Sequence, residues 1–167
     1  VHRSEVNVGF GRGSNVGAEG SCSEYLLFLN PDTRLEPTSL DVPLAFLEDD
    51  ANSRVGIVGI QLVDDRGDVA RSCARFPTPA SIGVRLAGLD ALAPGAFQSY
   101  PMHEWDHATT RRVDHVIGAF FMVRRSLFET LGGFDERFFV YLEDLDFSLR
   151  AHRAGWESAY LTGARAH

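Results

Sequence analysis

Tyr25-Leu26-Leu27-Phe28-Leu29-Asn30-Pro31-Asp32-Thr33 is a short continuous apolar run that stops abruptly in a turn. Large apolar side chains without polar alternation predict a strand covered on both faces. Pro31 has no N–H to give a neighbour, so the strand cannot continue through it as a central one. Asn30 and Asp32 bond readily to nearby backbone, and taken alone Asn30-Pro31-Asp32 reads as a turn. Its place at the carboxyl end of a strand is also where ligands bind in open α/β sheets.

The elements around this run alternate. Upstream, Asn7 to Gly13 reads as a glycine-rich loop, and Ser14 is placed to cap a short helix through Gly20. Downstream, Thr38 or Ser39 caps a predicted helix to about Asp50, with Leu40, Leu44 and Leu47 at helical spacing. Val55 to Val63 is a second buried strand, and Asp64 to Asp68 turns into a returning arm over Val69 to Arg75. Pro77, Pro79, Pro94 and Pro101 punctuate a helix and a loop before a long strand predicted over Val113 to Arg124. Ser126 and Glu129 have the spacing of a capping box for a short helix. A last strand is expected near Ser158 to Leu161. Strands alternating with helices predict an α/β layer architecture.

Before the last strand comes Phe138-Phe139-Val140-Tyr141-Leu142-Glu143-Asp144-Leu145-Asp146, in which large apolar residues give way to a cluster of acids. Carboxylates at a helix start meet the positive end of its dipole, which is the plain reading. The helix runs to about Ala154, with Leu142, Leu145, Leu149 and Trp156 as its apolar stripe and Asp146–Arg150 as an i,i+4 pair. Asp144 falls about 100° from Leu145, on a flank with the small residues Ser148 and Ala151, which leaves room for a ligand.

Composition narrows the class. The chain has 167 residues and a formal charge of −7, which suits one domain and argues against a phosphate-backbone binder. All its basic residues other than histidine are arginines. Cys22 and Cys73 have neither metal-ligand spacing nor a disulfide framework, which fits a reducing compartment. The longest nearly unbroken apolar run, Val116 to Val123, is far shorter than a membrane span.

The order of the motifs adds a resemblance. Asn7-x-Gly9-Phe10, Asn15-x-Gly17, Leu29-Asn30-Pro31-Asp32, Gly118-Ala119 with Arg124-Arg125, Gly132-Gly133-Phe134-Asp135-Glu136-x-Phe138-Phe139, Glu143-Asp144-x-Asp146 and His167 follow one another along the chain. This series closely resembles family 2 glycosyltransferases, and within them the bacterial rhamnosyltransferase-like enzymes that build surface polysaccharides. The resemblance implies a GT-A fold, a mixed sheet flanked by helices that handles a nucleotide-diphosphate sugar. It implies inverting transfer to a hydroxyl of a glycan or lipid-linked acceptor, in the cytoplasm at the inner face of the membrane.

Carried over residue by residue, the resemblance puts the family's DxD metal motif on Asn30-Pro31-Asp32. Asp32 is then a ligand of manganese or magnesium, Asn30 a weaker or water-mediated donor, and His167 a further ligand. Asp144 takes the place of the catalytic base, while Gly118, Ala119, Glu143 and Asn15 fall near donor and acceptor. One base suffices for a single displacement at an oxocarbenium-like centre. Two departures stand out: the opening strands that hold the nucleoside are missing, and the chain stops at His167. Residues 1–167 are therefore expected to be one partial catalytic domain, incomplete on its N-terminal side, with an exposed sheet edge prone to self-association. The competing reading is a non-catalytic carbohydrate- or protein-binding fragment of such a domain. A metal phosphohydrolase would need a denser ligand set.

Overall fold

The computed structural model describes residues 5–88, 102 and 105–167. In chain order its elements are α1 (Phe10–Ala18), β1 (Tyr25–Leu29), α2 (Thr38–Glu48), a 3-10 turn (Asp50–Asn52), β2 (Val55–Leu62), β3 (Cys73–Ala74) and α3 (Pro79–Leu86). There follow β4 (Arg111–Val113), β5 (His115–Val116), β6 (Phe120–Arg124), α4 (Arg125–Thr130), α5 (Glu143–Arg153) and β7 (Glu157–Ala166). The main sheet has the order β1-β6-β2-β7-β4, and β3 with β5 forms a small separate ribbon. Only β2 and β7 run parallel among these pairs, so the sheet is mixed. The predicted α/β architecture of a mixed sheet flanked by helices is what the chain adopts.

Burial explains the central strand. Every residue of β2 from Val55 to Gln61 is buried, as expected where both faces are covered. One face carries an aromatic cluster in which the Phe134 ring lies 4.9 Å from Phe28 and 5.2 Å from Phe147. On the other face Leu47 of α2 covers Val58, Phe120 and Leu161. β1 faces both cores unevenly: Leu26 and Phe28 are buried, while Tyr25, Leu27 and Leu29 are half-covered.

Several local expectations give way to tertiary packing. Ser14 is inside α1, which starts four residues earlier at Phe10, because the Phe10 N–H bonds to Phe139 O at 3.0 Å and Gly9 takes φ +83° at the cap. No side chain caps α4, so the Ser126–Glu129 box does not form; Glu129 instead pairs with Arg125 at 2.7 Å. α2 turns Ser39, Pro43 and Leu47 inward and leaves Leu40 exposed, since the Ser39 hydroxyl bonds to Arg165 O on β7 and sets the helix phase. α5 is phased by Phe147 and Ala151 rather than by its leucines, and Leu142 is 53% exposed. The bulk of Phe147 belongs in the aromatic cluster, and that contact outweighs the leucine spacing.

The run from Val113 to Arg124 is not one strand but three. β4 pairs with β7, β5 with β3, and β6 with both β1 and β2. The chain crosses the sheet here, and Gly118-Ala119 forms the turn that allows it. The returning arm after Asp64–Asp68 is likewise reduced to a bridge at Val63–Val69 and the two residues of β3. β7 runs five residues past its expected end at Leu161. Pro94 and Pro101 lie outside the described residues.

Candidate active site

The turn after β1 is tied to the turn before β6. The Asn30 N–H and the Thr33 hydroxyl both donate to Ala119 O, each at 3.2 Å, and Thr33 N–H closes the turn on Asn30 O at 3.1 Å. These bonds hold Asn30 and Asp32 beside Gly118-Ala119. From the other side α5 brings its acidic N-terminus. Tyr141 and Leu142 enter that helix with left-handed backbone (φ +67° and +72°), a conformation L side chains avoid, and no side chain caps it. Between the two turns lies a cleft of about 540 Å³ lined by Asn30, Asp32, Gly118, Ala119, Glu143 and Asp144 among others.

Asp144 is the most tightly organised of these groups. Its Oδ2 accepts from Gly118 N–H at 2.7 Å and its Oδ1 from Leu145 N–H at 2.8 Å. Bonds from N–H to a carboxylate are charge-assisted and orient it strongly. Gly118 is glycine for a reason of space: a Cβ there would stand 3.2 Å from Asp144 Oδ2. The flank shared with Ser148 and Ala151 is not open, however. Both residues are buried, and His115 of β5 fills the room beside them.

Glu143, next to Asp144, is buried, and its Oε2 has no hydrogen-bond partner. Burial raises its pKa, its own N–H bond opposes the shift, and the Asp144 charge adds to it. Asp146 is engaged elsewhere: Arg150 Nε donates to it at 2.7 Å, while the rest of that guanidinium holds Leu131 O and Gly133 O.

The remaining expected residues lie apart from the cleft. The Asn15 side chain imitates a backbone strand: its Oδ1 accepts from Phe134 N–H at 2.8 Å and its Nδ2 donates to Phe134 O at 2.9 Å. That bond pair pins α1 to the glycine turn after α4, beside a different hollow. His167 follows β7 and is held by reciprocal backbone bonds with Arg34, two residues beyond Asp32. Its Nε2 faces Glu36 Oε1 at 2.9 Å, and its Nδ1 is buried without a partner. Among the described residues no three His, Cys, Asp or Glu side chains gather as a metal cage. Cys22 and Cys73 are both free thiols.

His115 was not among the expected site residues. It is 3% exposed and borders the cleft, with Nε2 3.8 Å from Asp144 Oδ2. In the sequence it shows only as a histidine beside Asp114, just ahead of Val116-Ile117-Gly118-Ala119.

The chain is similar to known proteins over most of its length. The chain is 34% identical over 152 residues to the N-acetylglucosaminyl-diphospho-decaprenol L-rhamnosyltransferase of Mycobacterium tuberculosis, covering 84% of this chain and 45% of that protein. It is 27% identical to rhamnosyltransferase WbbL of Escherichia coli K12, covering 95% of this chain and 60% of the relative. The chain thus spans about half the length of these curated relatives. The fold is shared with GalNAc-T7, crystallised with UDP, GalNAc and Mn2+, at a TM-score of 0.66 and 16% identity over 99% of this chain and 31% of that one. That neighbour is a GT-A glycosyltransferase, so the fold is GT-A-like. Residues 25–167 match the model of glycosyl transferase family group 2, and the chain belongs to that family.

Proposed function

We propose that the cleft serves inverting transfer of a sugar, rhamnose in the first instance, from a nucleotide-diphosphate sugar to a hydroxyl of a glycan or lipid-linked acceptor. Asp144 is the general base. The observation that carries this reading is the Asp144 carboxylate, fixed by two backbone N–H groups at the cleft that Asn30 and Asp32 also line. The acceptor oxygen forms its bond to the anomeric carbon as the bond from that carbon to the diphosphate breaks. The hydroxyl proton passes to Asp144, and the electron pair of the broken bond leaves with the nucleoside diphosphate. Proton removal by a positioned carboxylate contributes ~10²–10⁴-fold in such reactions.

The donor set suits a divalent cation held mostly by its substrate. Asp32 is exposed, Asn30 adds a neutral amide oxygen, and no protein cage surrounds them among the described residues. Mg²⁺ or Mn²⁺ commonly binds through one or two protein oxygens plus phosphates and water. Asp32 would hold it, with Asn30 as a supporting donor and His167 joining only once its ring leaves Glu36. When bound, such a cation stabilises the charge of the departing diphosphate.

Phe139, Val140, Tyr141 and Leu142, 51–78% exposed, form an apolar rim on the acceptor side. Such a rim suits a lipid-linked acceptor and a place at the inner face of the membrane, although no described helix is long and apolar enough to cross one. A second reading is a binding module without catalysis, favoured by Asn30 in place of an acid and by the engagement of His167 with Glu36. Calorimetry of the full-length protein with manganese and a panel of nucleotide-sugars, alongside a transfer assay that reads the product anomer, separates the two. Inverted product supports the enzyme; donor binding with no transfer to any lipid-linked or glycan acceptor supports the module.

A further inference from the structure

His115 sits on β5 against the first turns of α5. Its Nδ1 lies 3.1 Å from Ser148 Oγ, and the Ser148 hydroxyl donates to Asp144 O at 2.9 Å. A hydroxyl has one hydrogen, and here it is spent on that carbonyl, so Ser148 Oγ must receive a hydrogen bond from the ring. The neutral ring therefore carries its proton at Nδ1 and presents a bare lone pair at Nε2. That lone pair faces Asp144 Oδ2 across 3.8 Å.

Two acceptors pointed at one another are a mismatch until a proton arrives between them. The charged groups around the ring are Asp144 from α5 and Asp114 in the preceding position; Cys73 on the paired β3 is a neutral thiol, its pKa pushed up to about 12 by burial. Burial lowers the His115 pKa and outweighs the pull of both carboxylates, so near neutral pH Nε2 is vacant. Among the described residues no side chain donates a hydrogen bond to the Asp144 carboxylate, which is held by backbone N–H groups alone.

We propose that His115 is a positioning residue acting through Asp144, whose ring takes over the proton that Asp144 removes from the acceptor hydroxyl. As the carboxyl becomes protonated, Nε2 closes on Oδ2, first accepting its hydrogen bond and then its proton. The acceptor O–H bond breaks, its electron pair enters the new bond to the anomeric carbon, and the proton rests on an imidazolium paired with the regenerated Asp144 carboxylate. It returns through Asp144 to water once product leaves. The proposal rests on Asp144 being the base.

The test compares His115→Phe and His115→Gln in the full-length protein, with wild type and Asp144→Asn alongside. His115→Phe fills the space without a nitrogen; kcat should fall about 10–10²-fold with the donor KM and thermal midpoint little changed. His115→Gln, whose amide oxygen can accept from the carboxyl, should recover part of that loss. The acid limb of the pH–rate profile that follows the ring should be absent from both. Turnover of His115→Phe within twofold of wild type, while Asp144→Asn is inactive, overturns this proposal and leaves the base assignment standing. An active Asp144→Asn overturns the base assignment itself. Should His115→Phe not fold, ¹⁵N NMR of the wild-type ring decides: an Nε2–H tautomer at neutral pH refutes the proposal, and an Nδ1–H tautomer supports it.

Discussion

The two ends of the cleft are built on different plans. At the α5 end, Asp144 is held by Gly118 and Leu145 N–H groups and backed by His115 and Ser148 before any substrate arrives. At the β1 end, Asp32 is exposed, Asn30 is neutral, and His167, the expected further ligand, is bonded to Glu36. A base must meet its proton within hydrogen-bond reach at one moment, so disorder in it directly costs rate. A cation that arrives with a diphosphate brings most of its own oxygens, and a rigid protein cage is unnecessary. With Asp144 as the proposed base and Asp32 as the proposed metal ligand, preorganisation is concentrated where the substrate cannot supply it.

That contrast is open to attack from its strongest side first. Asp144→Asn in the full-length protein should retain donor binding by calorimetry and lose transfer by at least ~10²-fold. Near-normal turnover would remove the base from the α5 end altogether. Asp32→Ala should raise the manganese concentration for half-maximal activity by about tenfold, roughly 1.4 kcal/mol, while His167→Gln changes it little because the ring already has a partner. Equal effects of the two would mean that His167 leaves Glu36 for the cation, and the β1 end is more organised than it looks.

Gly118→Ala probes how closely Asp144 must be placed. Its Cβ would crowd Asp144 Oδ2 at 3.2 Å and shift the carboxylate by a few tenths of an ångström. A loss of about three- to tenfold in kcat with unchanged donor binding is expected, since a full 1 Å misplacement costs about 10²-fold. An unchanged kcat would show that the carboxylate tolerates looser placement than its two bonds suggest.

Glu143 tests the electrostatics beside Asp144. Its pKa is raised by burial, so the folded state holds the proton more tightly than the unfolded one. Stability from this group is complete below the ordinary carboxylate pKa and is lost as pH rises through the raised value. Glu143→Gln should flatten that slope and raise the thermal midpoint at neutral pH, as followed by calorimetric melts across pH 4 to 8 (roughly the carboxylate-to-neutral range). The smallest effect concerns β1, which lies at the end of the sheet order with no partner on its outer side among the described residues. Light scattering of residues 1–167 should show weak, concentration-dependent self-association; a strict monomer at high concentration would mean that this edge is protected.

Some of the local chemistry was legible in the sequence. Tyr25–Leu29 is a strand that ends where Pro31 withdraws an N–H, and Val55–Leu62 falls within the buried strand expected over Val55 to Val63. The acidic start of α5 follows from helix-end electrostatics, and the ordered motifs were enough to identify the family. The division of Val113–Arg124 into β4, β5 and β6 was hidden, because each piece answers to a different partner strand. The phase of α5 was hidden too: Phe147 is drawn into an aromatic cluster with Phe28 and Phe134, and no spacing within the helix announces that contact. His115 meets Asp144 only because β5 packs under α5, an encounter set by sheet topology and side-chain volume. Sequence alone thus decided which residues carry the charge and where β1 stops; which residues touch, and so how Asp144 is held, was decided by packing between segments far apart in the chain.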